Sequence, residues 1–151
     1  MADARDPAER MAVILARHGM HRMTARVLCV LLFTEQETIT AGEIAERLDV
    51  SPGSVSGGIK MLEAIDMVER APVRGGRREH YRFPDDAWPR LMMVRNRVLE
   101  EMLEAADDGI ATVSEDGPAG RRLTEMRDFY AHLMRSIPAL IEDWRASRPR
   151  S

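Results

Sequence analysis

The sequence predicts a mainly α chain with one small β-hairpin, and three observations lead there. Apolar residues recur at three- and four-residue spacing through most of the chain. Helix start signals, a capping residue followed by proline or by a glutamate three positions on, recur ahead of these stretches. Only around Gly75-Gly76 do two short β-prone runs flank a glycine turn. The 151 residues, 44% hydrophobic and 31% charged, fit one globular domain over 1–151.

Asp6 can cap a helix from Pro7 to His18, with apolar Met11, Ile14 and Leu15 at helical spacing and Gly19 ending it. Met23 to Phe33 is apolar on more than one side through Val27, Leu28, Val30 and Leu31, the pattern of a buried helix. Thr38-Ile39-Thr40 is long enough only for a small β-bridge. Thr40 and Glu43 then match a capping box opening a helix from Ala41 to Leu48, with Ile44, Ala45 and Leu48 inward. Ser51 and Pro52 start another, to about Ile65, burying Val55, Gly58, Ile59 and Leu62.

Val68–Val73 and Glu79–Phe83 form the hairpin, closed by Pro84. Beyond Asp85 a stripe runs through Trp88, Leu91, Met92, Arg95, Val98, Leu99, Met102, Leu103 and Ala106. A break is expected over 107–120. The last helix, Arg121–Arg145, carries Leu123, Met126, Tyr130, Leu133, Ile137, Leu140, Ile141 and Trp144, with a kink expected at Pro138. Residues 146–151 read as a disordered tail.

The order helix, helix, short strand, helix, helix, hairpin is that of a winged helix-turn-helix. Charge supports this reading. Residues 1–50 carry six basic and eight acidic side chains, a net of −2; residues 51–83 carry six against four, a net of +2; residues 84–151 carry ten against thirteen, a net of −3. A basic stripe on an acidic body is the footprint of a nucleic-acid surface. The second helix of such a pair enters the major groove. Its outer face offers Gly53, Ser54, Ser56, Gly57 and Lys60. Glycine costs about 1 kcal/mol against alanine within a helix. Close approach to DNA accounts for Gly53 and Gly57, and close helix packing for Gly58. At the hairpin tip, a solvated charged turn would explain any one of Arg74, Arg77 and Arg78, but explains the cluster beside a helix-turn-helix less well.

Residues 40–83, TAGEIAERLDVSPGSVSGGIKMLEAIDMVERAPVRGGRREHYRF, resemble the MarR superfamily of bacterial transcription regulators, and more closely its GbsR-like branch. The block GRRLTEMRDFYAHL, 120–133, is similar to the C-terminal dimerisation region of such proteins. The resemblance covers about Met11 to Trp144. It implies a homodimer that binds a pseudo-palindromic operator in double-stranded DNA and acts as a repressor in the cytoplasm. It divides the domain into a DNA-binding lobe, 20–84, and dimerisation helices, 7–18 and 85–145. The DNA-facing set is then Thr40, Pro52, Gly53, Ser54, Ser56, Gly57, Lys60, Arg70, Arg74, Arg77, Arg78 and Arg82. The dimer set is Met11, Leu15, Leu123, Met126, Tyr130, Leu133, Ile137, Leu140, Ile141 and Trp144. Two long apolar stripes fit a dimer without any resemblance, because one small domain cannot easily bury both. Ligand sites in the family lie between the dimer helices and the DNA-binding lobe. No ligand motif is readable here, so a small-molecule effector stays unidentified.

Other chemistry finds little support. Cys29, the single cysteine, reads as a buried inert thiol rather than a redox sensor. His18, His21, His80 and His132 show no zinc-ligand spacing. The eleven methionines read as packing before they read as a plastic effector pocket. No nucleophile–base spacing, phosphate loop or cofactor fingerprint is present, so neither an enzyme nor a cofactor is expected. No apolar run approaches the roughly 18 residues of a membrane span. The competing reading is a winged-helix interaction module without an operator of its own, which predicts weak, sequence-independent DNA binding.

Overall fold

A computed structural model describes residues 6–72, 75–114 and 116–148. The chain divides into two compact units, Met1–Leu91 and Met92–Ser151.

In the first unit, α1 (Pro7–Arg17) is capped by Asp6, whose carboxylate accepts from the Ala8 N–H at 3.0 Å. Gly19, at φ +101°, takes the left-handed position that ends it. The spacing of the large apolar residues does not mark the face of α1 that packs on its neighbour. Ala12 is buried, whereas Met11 and Ile14 are exposed. Small residues let α1 lie close on α2 (Arg22–Phe33), where Ala12 meets Ala25 and Cys29 with Ala8 and Leu15 alongside. Arg26 ties the arrangement together, donating to Glu9 Oε2 and to the Leu48 carbonyl, both at 3.2 Å.

β1 (Ile39–Thr40) leads into α3 (Ala41–Leu48), and the capping box forms as the sequence implied. The Thr40 N–H donates to Glu43 Oε2 at 2.8 Å, and the Glu43 N–H to Thr40 Oγ1 at 3.2 Å. The Thr40 backbone N–H first, and then the Thr40 hydroxyl donating to the same oxygen at 2.8 Å, hold the Glu43 carboxyl below its ordinary pKa. Next comes α4 (Pro52–Glu63). It ends before Ile65 because Asp66 turns left-handed at φ 56° and the Met67 N–H reaches back to the Leu62 carbonyl at 2.9 Å.

β2 (Glu69–Ala71) and β3 (His80–Arg82) complete an antiparallel sheet in the order β1-β3-β2, with Ile39 opposite Tyr81 and Glu69 opposite Arg82. The core of this unit is Val27, Leu28, Leu31, Ile39, Ile44, Val55, Ile59, Leu62, Met67 and Val68, with Ala87 of the following helix. The four positions read as inward on α4, Val55, Gly58, Ile59 and Leu62, are all buried.

The second unit is built from most of α5 (Ala87–Thr112) and from α6 (Pro118–Ser147). Both exceed their predicted ends. Asp107 to Gly109 belongs to α5, because Gly109 serves packing rather than a turn: a Cβ there would stand 3.2 Å from Leu123 Cδ1. Pro118 takes the first-turn position of α6 after the Gly117 cap. Within the expected 107–120 break, α5 therefore continues to Thr112 and α6 already begins at Pro118. Ala146 and Ser147 are helical rather than part of a tail, and residues 149–151 lie outside the described residues. Pro138 leaves the Met134 carbonyl without an i+4 donor, yet α6 remains helical through it.

Candidate nucleic-acid interface

Burial of Val55, Gly58, Ile59 and Leu62 turns the opposite side of α4 outward. Pro52, Gly53, Ser54, Ser56, Gly57 and Lys60 are all exposed there. The glycines separate by role. A Cβ on Gly58 would lie 3.0 Å from Val27 Cγ2 and 3.5 Å from the Met23 carbonyl oxygen, so Gly58 lets α4 approach α2. Gly53 and Gly57 have nothing within 4 Å of that position. No protein contact requires them to be glycine.

The serines are partly engaged at the helix start. Ser51 Oγ accepts from the Ser54 N–H at 3.4 Å and lies 3.0 Å from Ser54 Oγ. Ser56 Oγ donates to the Pro52 carbonyl at 3.1 Å. Its hydroxyl proton is thus used within the helix, leaving acceptor capacity outward.

Charge pairing sorts the basic residues. Arg70 donates to Glu63 at 2.9 Å and also to Glu79. Its guanidinium is held more firmly protonated by these partners, the hydrogen bond to Glu63 first. Arg82 donates to Glu69 at 2.6 Å across the β2–β3 pair. Tyr81 donates its hydroxyl to Glu79 at 2.9 Å, and burial pushes its phenol pKa upward. Three carboxylates near the wing are therefore occupied. Among the described residues, Lys60, Arg77 and Arg78 form no ion pair, so uncompensated positive charge collects on α4 and at the wing tip. Arg74 lies outside the described residues. Thr40 is buried and its hydroxyl is committed to the capping box, which places it behind the surface rather than on it.

One exposed side chain of α4 was not singled out from the sequence. Met61 is 58% exposed, the most exposed large apolar residue of this helix. Its only sequence signal is its spacing, four residues beyond Gly57.

The dimer set spreads over both units. Leu15 packs against the core of its own unit, while Met11 is exposed on α1. On α6, Leu133, Leu140 and Trp144 are exposed, Leu123, Met126, Tyr130 and Ile141 are half-buried, and Ile137 is buried. Phe129, which falls off the expected stripe, is 61% exposed and stacks edge-on against Tyr130. On α5, Val98 and Met102 are exposed.

Cys29 is buried and its thiol is pushed up to about 11, first by burial and then by the charges of Glu9 and Asp6. Among the described residues no group of three His, Cys, Asp or Glu side chains is placed to hold a metal ion. No described helix is long and apolar enough to cross a membrane.

A buried helix pair carrying an exposed small-residue helix, with a basic hairpin beside it, defines a winged-helix DNA-binding protein. Comparison with known proteins gives the family. Residues 18–79 match the MarR family model, and residues 86–147 match that of MmpR5-like MarR family transcriptional regulators. The HTH-type transcriptional regulator MmpR5 of Mycobacterium tuberculosis is 30% identical over 132 residues, spanning 87% of this chain and 80% of its own. A crystal structure of a transcriptional regulator superposes with a TM-score of 0.79 at 28% identity, covering 92% of this chain and 95% of that one. TrmBL2, an archaeal chromatin protein, shares the fold at a TM-score of 0.53 and 18% identity, covering 74% of this chain and 44% of its own. The chain belongs to the MarR family of transcriptional regulators, a family of DNA-binding proteins and not of enzymes.

Proposed function

We propose that this protein is a sequence-specific repressor that acts as a cytoplasmic homodimer on a pseudo-palindromic operator. The observation that carries the reading is the exposed face of α4, where Gly53 and Gly57 leave open space and Lys60 stands unpaired, beside a wing with unpaired Arg77 and Arg78. Pro52, Gly53, Ser54, Ser56, Gly57 and Lys60 face the major groove. Arg77 and Arg78, with Arg74, contact phosphates or the minor groove. Arg70 and Arg82, neutralised by their glutamates, hold the shape of the wing, and Thr40 holds the start of α3. Exposed Phe129, Leu133, Leu140 and Trp144 support pairing of α6 with a second copy, since apolar surface of this kind marks an interaction site. A dimer supplies the two copies of α4 that a pair of half-sites requires. The GbsR-like affinity rests on the motif over 40–83, and relief by a small molecule rests on the family.

A gel shift of the purified protein on its own upstream intergenic DNA, with unrelated competitor at physiological salt, tests the reading. A discrete, competitor-resistant shift is expected. A shift abolished by competitor would favour an interaction module instead.

A further inference from the structure

The exposed surface of α4 holds an apolar feature that the polar and basic groups above leave unused. Ser54, Gly57 and Met61 follow one another at three- and four-residue spacing and so share one strip of the helix. Helical side chains lean toward the N-terminus, so a residue covers the turn before its own Cα. Met61 therefore leans over the turn that contains Gly57. Yet nothing lies within 4 Å of where a Gly57 Cβ would be, so Met61 does not fill that space. The strip thus leaves the Gly57 backbone uncovered between exposed Ser54 and exposed Met61.

An unbranched thioether left 58% exposed in water gains free energy when apolar surface covers it. In the major groove, the apolar group on offer is the thymine C5-methyl. An apolar side chain is the kind of group that contacts this methyl.

We propose that Met61 is a specificity-determining residue that reads a thymine methyl lodged against the open Gly57 backbone, one in each half-site. The inference rests on α4 being the DNA-reading helix. Lys60, one position away, points to the neighbouring strip with Gly53 and supplies charge rather than methyl recognition.

The test separates the two readings. The full chain first selects a duplex from a random-sequence pool at physiological salt. Kd is then measured for wild type, Met61→Ala and Met61→Leu on that duplex, and on versions in which each thymine in turn is replaced by deoxyuridine, which differs only by the methyl. Wild type is expected to bind roughly three- to tenfold more weakly at one thymine per half-site, the scale of one or two buried apolar carbons. Met61→Ala should bind the parent duplex weaker by a similar factor and show no further weakening on that deoxyuridine. Met61→Leu should keep most of the discrimination. If no thymine is sensitive in wild type, or if Met61→Ala weakens thymine and deoxyuridine duplexes alike, the methyl reading is refuted while α4 remains the reading helix. If the pool yields no preferred sequence, the sequence-specific reading falls and this inference falls with it. Circular dichroism of the variants, at an exposed position, confirms that each is folded.

Discussion

Gly57 and Gly58 are adjacent on one helix, and replacing each by alanine should move stability in opposite directions. Both changes gain the same intrinsic helix propensity, about 1 kcal/mol. At Gly57 nothing opposes the gain, because the new methyl meets open space. At Gly58 it arrives 3.0 Å from Val27 Cγ2, with the Met23 carbonyl oxygen and Thr24 Cα at 3.5 Å behind. Val27 cannot swing aside cheaply: it is fully buried, and a β-branched side chain in a helix has one strongly preferred rotamer. Overpacking of this kind costs about 1–3 kcal/mol. Gly57→Ala should therefore gain about 1 kcal/mol, and Gly58→Ala should lose up to about 2 kcal/mol. The propensity gain cancels between them, so their difference isolates the packing cost. Urea denaturation followed by far-UV circular dichroism reads this as midpoints separated by about 1 M at unchanged slope. Val27→Ala should be less costly in the Gly58→Ala background than alone, a coupling of about 1 kcal/mol. Equal midpoints for the two glycine variants, or additive behaviour with Val27, would refute the assignment of Gly58 to helix packing.

Four further outcomes are expected. Arg77→Ala and Arg78→Ala should each weaken binding to all DNA sequences and lower the log–log salt slope by about 0.9 for each phosphate no longer neutralised, measured by fluorescence anisotropy across salt concentrations; an unchanged slope removes the wing from the interface. Thr40→Ala should destabilise by about 1 kcal/mol at neutral pH. Because the folded Glu43 pKa is depressed, the capping contribution is present above the unfolded carboxylate value and is lost as pH falls through the folded one, so the gap to wild type should narrow in acid unfolding experiments; a constant gap across pH contradicts it. Cys29 should resist a thiol reagent at pH 8 until the chain is unfolded, since burial holds the thiol protonated; rapid native labelling would overturn this. Leu140→Asp should shift the mass measured by light scattering from dimer to monomer while leaving helical content unchanged, and a mass that stays put removes this part of α6 from the pairing surface.

Local signals determined most of the fold. Asp6 before Pro7, Thr40 with Glu43, and Ser51 before Pro52 each satisfy backbone donors within a few residues, so their helix starts are legible in the sequence. Periodicity did the same for the inward face of α4 and for the buried character of α2. The excess of six basic over four acidic side chains across 51–83 was visible, but their pairing was not. Which arginines are neutralised depends on strand register, which sets Glu69 opposite Arg82, and on the approach of Glu63 and Glu79 to Arg70. Tertiary packing likewise chose Ala12 over Met11 and Ile14 as the buried residue of α1, because close helix approach favours a small side chain over a large one. It made Gly109 a neighbour of Leu123 instead of a helix end. The different roles of the α4 glycines were legible, since Gly58 falls on the inward stripe and Gly53 and Gly57 off it, but only packing supplied Val27 of α2 as the neighbour that Gly58 accommodates. Short-range hydrogen bonds decide where a helix begins; only the position of residues distant in sequence decides what each face of it meets.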